Sequence, residues 1–208
     1  MTKSEIFWDK TAERYAKSPV SDEVSYQKKL AETQSFFTPN MRILEFGCGT
    51  GTTAVQHAPY VTHVDAIDIS ENMLEIGRSN ARKSGTDNIK FTHTTLSEFD
   101  AAAASLDVVL GLNVLHLLSD RQAVIAEVAR VLKPGGIFVS STVCLGHSYL
   151  RFIKLAVPLG KMLGLMPDLF ILTEAELASE LTSAGFVIER QWHHGNSDSN
   201  VFMVARKV

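Results

Sequence analysis

Short apolar runs alternate with helical patterns along most of the chain. Residues 41–46 (MRILEF) form an apolar run stopped by Gly47, and helix-forming sequence follows to about Ala58. Residues 62–69 (THVDAIDI) read as a second strand, 88–92 as a third, 106–110 as a fourth and 136–143 as a fifth. Ser70 caps a helix whose apolar residues Met73, Leu74, Ile76 and Ala81 recur at helical spacing. Between the last two strands, residues 120–132 put Val124, Ile125, Val128 and Leu132 on one helix face, and Lys133-Pro134-Gly135-Gly136 ends it. This alternation predicts βαβ units and a parallel sheet.

The pattern changes towards the C-terminus. Thr173 followed by Glu176 is a capping box that opens a helix to Ala184, and Gly185 stops it. Two strand-like runs follow, 186–193 and 201–206, joined by the polar stretch HGNSDS. A link this short cannot make a parallel crossover, so the pair must be antiparallel. The expected fold is therefore a doubly wound α/β domain, mostly parallel, with one reversed strand near the C-terminal edge. Residues 3–37 read as two helices preceding the first strand.

Composition narrows the class without deciding it. The chain has 208 residues, enough for one domain. Charge is nearly balanced, 20 Lys+Arg against 23 Asp+Glu. A general nucleic-acid binder carries a basic excess, so that class is disfavoured. The two cysteines, Cys48 and Cys144, make neither a disulfide scaffold nor a CxxC site and fit a reducing compartment. With no signal-peptide pattern and no long uncharged apolar stretch, a cytoplasmic protein is expected. The balance hides one irregularity. Residues 128–167 contain no Asp or Glu but do contain Arg130, Lys133, Arg151, Lys154 and Lys161.

The strongest motif is Glu45-Phe46-Gly47-Cys48-Gly49-Thr50-Gly51, after the first strand and before a helix. Glycines there let backbone approach a ligand closely, and the helix N-terminus offers free N–H groups. A dinucleotide fingerprint requires G-x-G-x-x-G, and its last position here is Thr52. Glu45 would also repel a pyrophosphate and favour a cation. Asp68, at the end of the second strand, can accept hydrogen bonds from both hydroxyls of a ribose. Together these features suit a positively charged nucleoside without phosphate.

The runs ILEFGCGTG (43–51), AIDISENML (66–74), IKFTHTTLSEF (89–99), LDVVLGLNVLHLL (106–118) and VLKPGG (131–136) resemble, in order, the motifs of class I S-adenosylmethionine-dependent methyltransferases. The resemblance covers roughly residues 7–207 and is greatest to the small-molecule group that includes menaquinone and ubiquinone C-methyltransferases. It implies a Rossmann-like, doubly wound, seven-stranded sheet in a single domain. Residues 3–37 would be N-terminal helices, 38–143 a cofactor-binding core, 144–172 a substrate cap and 173–208 a closing helix and hairpin. The implied cofactor is S-adenosylmethionine. Glu45, Gly47, Gly49 and Gly51 would line its methionine part, Cys48 would also contact the cofactor, and Asp68 would hold the ribose. Ile69 or Met73 would flank the adenine, although Met73 also has the spacing of a core residue. Thr95 and Leu96 stand where the family usually has Asp and a small or apolar residue near the adenine amino group. Thr95 lacks that carboxylate. Asn113 matches a position reaching the methionine end, and Tyr15 an aromatic that folds over the cofactor.

Methyl transfer needs alignment and exclusion of water, and a base only when the acceptor must lose a proton. His116 is the first candidate for that base, with His147 and Tyr149 behind it. His193-His194 does not read as a metal site, because neighbours on a strand point to opposite faces. Asn113-Val114-Leu115-His116 also lacks the Pro-Pro pattern of enzymes that methylate DNA amino groups. Within the expected cap, residues 144–167 combine a broad apolar surface with Arg151, Lys154 and Lys161 on one stripe. The expected acceptor is a small, apolar molecule, reached with transient contact to a membrane surface and with no nucleic acid involved. A nucleotide-linked oxidoreductase and a non-catalytic S-adenosylmethionine-binding module are the alternatives. The oligomeric state is left open.

Overall fold

A computed structural model describes residues 1–144, 167–194 and 199–208. Two helices come first, α1 (Lys3–Lys17) and α2 (Glu23–Gln34). Then follow β1 (Arg42–Phe46), α3 (Thr52–His57), β2 (His63–Asp68), α4 (Glu71–Lys83) and β3 (Ile89–His93). The second half comprises β4 (Leu106–Leu112), α5 (Arg121–Val131), β5 (Leu132–Val143), α6 (Glu174–Ser183), β6 (Phe186–His194) and β7 (Asn200–Lys207). The seven strands form one sheet in the order β3-β2-β1-β4-β5-β7-β6. All neighbours pair in parallel except β5 with β7 and β6 with β7. The single reversed strand is thus β7, one place in from the edge, as the short polar connection requires.

Burial explains why the inner strands read as continuous apolar runs. Each has a helix layer on both faces, so both alternating sets of side chains are covered. Leu44 and Phe46 of β1 pack with Phe138, Ile125, Val128 and Leu177, under α5 and α6. Ile43 packs with Val64, Leu110, Ala54 and Phe202 on the opposite face, under α3 and α4. Glu45 shares that second face by alternation, the one ionisable residue in an otherwise buried stretch.

The capping signals act where the sequence placed them. Ser70 Oγ accepts from Met73 N at 3.2 Å, and Thr173 forms a reciprocal capping box with Glu176. Two strand ends differ from the sequence reading by two residues or more. β4 runs two residues further, because Gly111 and Leu112 pair with Ser140 and Ser141. β5 begins at Leu132, opposite Leu106, and its register then jumps to Val108 opposite Ile137. Lys133-Pro134-Gly135-Gly136 fills that jump, since Pro134 has no N–H for the ladder and Gly135 lies at φ 77°. The chain winds outward from β1 in one direction and from β4 in the other. A crevice therefore opens beyond the C-terminal ends of these two strands, where ligands bind in doubly wound sheets.

Candidate functional site

The turn after β1 enters the left-handed region three times, at Gly47, Gly49 and Gly51 (φ 62°, 53° and 65°). A Cβ at Gly47 would also lie 2.7 Å from Val114 Cγ2, so the backbone there passes against the β4 side of the crevice. The loop is fastened to β2 by two hydrogen bonds. Cys48 N donates to Ile67 O at 3.1 Å, and Gly49 N donates to Asp68 Oδ2 at 2.8 Å. Asp68 Oδ1 accepts from Ser70 N at 2.9 Å. One carboxylate thus joins the glycine loop to the start of α4 and still has lone pairs directed elsewhere. Burial pushes the Asp68 carboxyl up, against the pull of the Gly49, Ser70 and Ile69 amides.

Two cavities flank this junction. The first, of about 230 Å³, is lined by Asp68, Ile69, Met73, Thr95 and Leu96, with Trp8 of α1 above them. The second, of about 430 Å³, lies on the α2 side and is lined by Glu45, Cys48, Tyr26, Lys29 and His194. Tyr15, Gly47, Gly49, Leu112 and Asn113 line both, so they form the wall between them.

Of the residues expected to bind a cofactor, every one except Gly51 lines one of these cavities. Gly51 instead caps α3 and packs against Phe91 and Gly77. Met73 lines the first cavity and is buried. The Thr95 hydroxyl donates to Glu98 Oε2 at 2.9 Å, so its own loop already engages it. Asn113 is a non-glycine residue at φ 57°, held there by its N–H donating to Ser141 O at 2.7 Å. Such strain in a side-chain-bearing residue persists where the surroundings over-determine it, commonly at ligand sites.

Glu45 has an unusual environment. Its Oε2 is buried and has no hydrogen-bond partner among the described residues. Burial first, and then the charge of Asp68, push its carboxyl up to about 8. Burial with the same two carboxylates pushes the Cys48 thiol up, so it remains a thiol rather than a nucleophile.

His116 lies in a short helical turn, Leu115–Leu117, is buried, and lines neither cavity. Burial lowers its imidazole to about 4. His147, Tyr149 and most of the expected cap lie outside the described residues. His193 and His194 do diverge. His193 Nε2 meets Glu174 Oε2 at 2.8 Å, whereas His194 Nε2 lies 3.2 Å from Ser141 Oγ. Among the described residues no group of three or more His, Cys, Asp or Glu is arranged to hold a metal ion. Sequence reasoning missed Trp8, Tyr26, Lys29 and His194 as lining residues. No local motif marks them, because α1, α2 and β6 bring them in from distant parts of the chain.

Residues 43–136 match the family described as Methyltransferase domain. The chain is 30% identical over 139 residues to an uncharacterized methyltransferase, YcgJ, of Bacillus subtilis (strain 168), covering 65% of this chain and 53% of that protein. It is 37% identical over 106 residues to a ubiquinone biosynthesis O-methyltransferase of Hahella chejuensis, covering 50% and 44%. The chain spans about half the length of the curated relatives it matches. Magnesium protoporphyrin IX methyltransferase (ChlM) from Synechocystis PCC 6803, crystallised with bound SAH, has the same fold at TM-score 0.74 and 19% identity, covering 98% of each chain. The sheet order, the glycine turn and this match together support a class I S-adenosylmethionine-dependent methyltransferase.

Proposed function

We propose that the protein transfers a methyl group from S-adenosylmethionine to a small acceptor. The observation that carries this reading is the pair of buried carboxylates, Glu45 and Asp68, facing a cleft on either side of the left-handed glycine turn. Glu45 Oε2 has no partner of its own, and a buried carboxylate in that state calls for a cation. The ammonium and sulfonium of S-adenosylmethionine suit it, and NAD with its pyrophosphate does not. The donor set fits the cofactor.

In this reading the first cavity takes the nucleoside. Asp68 accepts from the ribose hydroxyls while Gly49 and Ser70 fix its orientation. Ile69, Met73 and Leu96 cover the adenine faces with apolar surface, and Thr95, engaged with Glu98, leaves backbone groups for the amino end. Glu45, Cys48 and the amides of the glycine turn surround the methionine part. Tyr15 and Asn113, common to both cavities, stand where nucleoside and methionine meet. When bound, the cofactor supplies a methyl carbon on a positively charged sulfur, open to in-line displacement. The chain's contribution is to hold that carbon against the acceptor and exclude water, effects of up to roughly 7–11 kcal/mol for well-oriented reactants.

The acceptor is placed in the second cavity, beyond Asn113. Its apolar character and any membrane contact rest on residues 144–172, most of which lie outside the described residues. Among the described residues no helix is long and apolar enough to cross a membrane. Cys48 and Cys144 are free and buried, which supports a reducing, cytoplasmic setting. Calorimetric titration with S-adenosylmethionine, S-adenosylhomocysteine and NADH tests the cofactor. The first two should bind at micromolar levels and NADH should not. Preferential NADH binding would sink the reading. S-adenosylhomocysteine release with a panel of small phenols, amines and quinols then tests the transfer.

A further inference from the structure

The second cavity contains a histidine outside the family motifs. His194 ends β6 on the face that α2 covers, and α2 is pinned there by Trp192 Nε1 donating to Glu32 Oε2 at 3.1 Å. His194 Nε2 lies 3.2 Å from Ser141 Oγ, and the Ser141 hydroxyl donates to Asn113 Oδ1 at 3.4 Å. A hydroxyl has one hydrogen, and here Asn113 receives it. Nε2 must then carry the N–H that donates to Ser141, which leaves Nδ1 with the ring's lone pair. The chain of contacts Asn113–Ser141–His194 therefore runs from the wall shared by the cavities to the acceptor side, and it selects one tautomer.

The charged surroundings favour a particular acceptor. Lys29 and Asp22 face the ring from α2 and its N-terminal cap, His193 neighbours it on its own strand, and Tyr26 lines the same cavity. Burial first, then the Lys29 charge, lowers the imidazole to about 4, opposed by Asp22. The ring is consequently neutral, and Nδ1 keeps its lone pair. A lysine ammonium beside a neutral imidazole stabilises an oxygen that is becoming negative.

We propose that His194 Nδ1 takes the proton of an ionisable hydroxyl, phenolic in class, on an acceptor bound in the second cavity, with Ser141 fixing the ring's tautomer. The proposal rests on the methyl-transfer reading above. The acceptor O–H bond breaks and its proton passes to Nδ1. The oxygen pair forms the new C–O bond to the methyl carbon, and the C–S pair leaves with sulfur. The products are a methyl ether, a neutral thioether and an imidazolium that returns its proton to water. His194 acts on the acceptor directly, while Ser141 is a positioning residue.

The test uses the full chain with S-adenosylmethionine and three phenolic probes, 4-nitrocatechol, 4-nitrophenol and 3,4-dihydroxybenzoate. S-adenosylhomocysteine affinity is measured in parallel. Wild type should methylate at least one probe on oxygen. His194→Gln should lose 100-fold or more in kcat, with S-adenosylhomocysteine affinity within twofold of wild type. Ser141→Ala, which keeps the ring, should lose about tenfold in kcat with KM unchanged, and this variant decides the matter if His194→Gln does not fold. Equal turnover by either folded variant would overturn the assignment. Intact S-adenosylhomocysteine binding with no probe methylated would overturn the phenolic class, and absent S-adenosylhomocysteine binding would instead overturn the underlying cofactor reading.

Discussion

The Ser70 hydroxyl donates to Asp9 Oδ1 over 2.6 Å, and this contact joins α1 to the turn that carries Asp68. Asn72 N donates to the same oxygen at 3.2 Å, and Asn72 Nδ2 donates to Asp9 O at 3.1 Å. Ser70 is fully buried, so its hydroxyl has no water to fall back on. The position of Trp8 and Tyr15 over the cleft depends on this latch, because both belong to α1. Asp9→Ala should lower stability by about 1.5–3 kcal/mol, the range for hydrogen bonds to a charged group. It should also weaken S-adenosylhomocysteine binding by roughly tenfold, about 1.4 kcal/mol, as α1 loosens. Asp9→Asn, which keeps an acceptor, should fall between. Thermal denaturation and a titration followed by tryptophan fluorescence measure both effects. Unchanged affinity in a folded Asp9→Ala protein would show that α1 does not cover the site.

Glu45 predicts a proton count. With its carboxyl raised to about 8, it is mostly protonated at pH 7 in the free protein. A cationic ligand beside it favours the carboxylate, so binding should release nearly one proton at pH 7 and progressively less above pH 8. Calorimetry in buffers of different ionisation enthalpy reads this number directly. Glu45→Gln should abolish the release and weaken binding. The raised folded value also means that ionising Glu45 opposes folding, a penalty absent below its unfolded value near 4.5 and growing as pH rises towards 8. The ligand-free Glu45→Gln protein should therefore gain stability at pH 8 relative to wild type. Buffer-independent binding enthalpies for wild type at pH 7 would rule out the linkage.

The glycine turn and Asp68 were legible in the sequence because each answers to a local backbone requirement. Gly47, Gly49 and Gly51 all occupy left-handed positions, and Asp68 ends a strand and precedes a cap. The same holds for the Ser70 and Thr173 caps, whose partners lie three residues away. What could not be read depends on distance along the chain. Lys29 and His194 meet through the docking of α2 on β6, and His194 reaches Ser141 from 53 residues away. Thr95 is legible as a missing carboxylate, but its engagement by Glu98 is a side-chain choice that periodicity does not encode. The ends of β4 and β5 were misjudged for a related reason. Pairing with a neighbouring strand extends them past local breakers such as Gly111 and Pro134.

Gly51 and Gly77 share one obstacle, and it is not the ligand. A Cβ at either would lie 2.7 Å from Phe91 Cε1, and Gly51 is in addition at φ 65°. Gly77→Ala should destabilise the fold by about 1–3 kcal/mol through overpacking. Gly51→Ala should lose a further 1–2 kcal/mol or so for its left-handed backbone. Phe91→Leu in the same chain should recover part of the Gly77→Ala loss and less of the Gly51→Ala loss. Urea denaturation of the single and double variants separates the two terms. Recovery of the same fraction of the loss at both positions would mean that backbone conformation contributes nothing at Gly51.

His116 follows β4 where an acceptor base was expected, yet the chain folds it inward. The Leu115–Leu117 turn buries it, Phe170 N donates to its carbonyl oxygen at 2.8 Å, and its Nδ1 has no hydrogen-bond partner among the described residues. Its imidazole, lowered from 6.5 to about 4 by burial, is neutral in the folded protein at pH 5 and charged in the unfolded one. Protonation of the unfolded chain therefore removes stability as pH falls from 6.5 towards 4. At pH 5 this amounts to about 2 kcal/mol for a shift of that size. His116→Leu should be more stable than wild type at pH 5, close to it at pH 7.5, and unchanged in methyl transfer. His57, lowered to about 4 by its own burial, remains in both proteins and cancels in the comparison. Denaturant unfolding at the two pH values gives the first result and S-adenosylhomocysteine release the second. A folded His116→Leu protein with turnover reduced 100-fold would return His116 to the role of base and remove the need for His194.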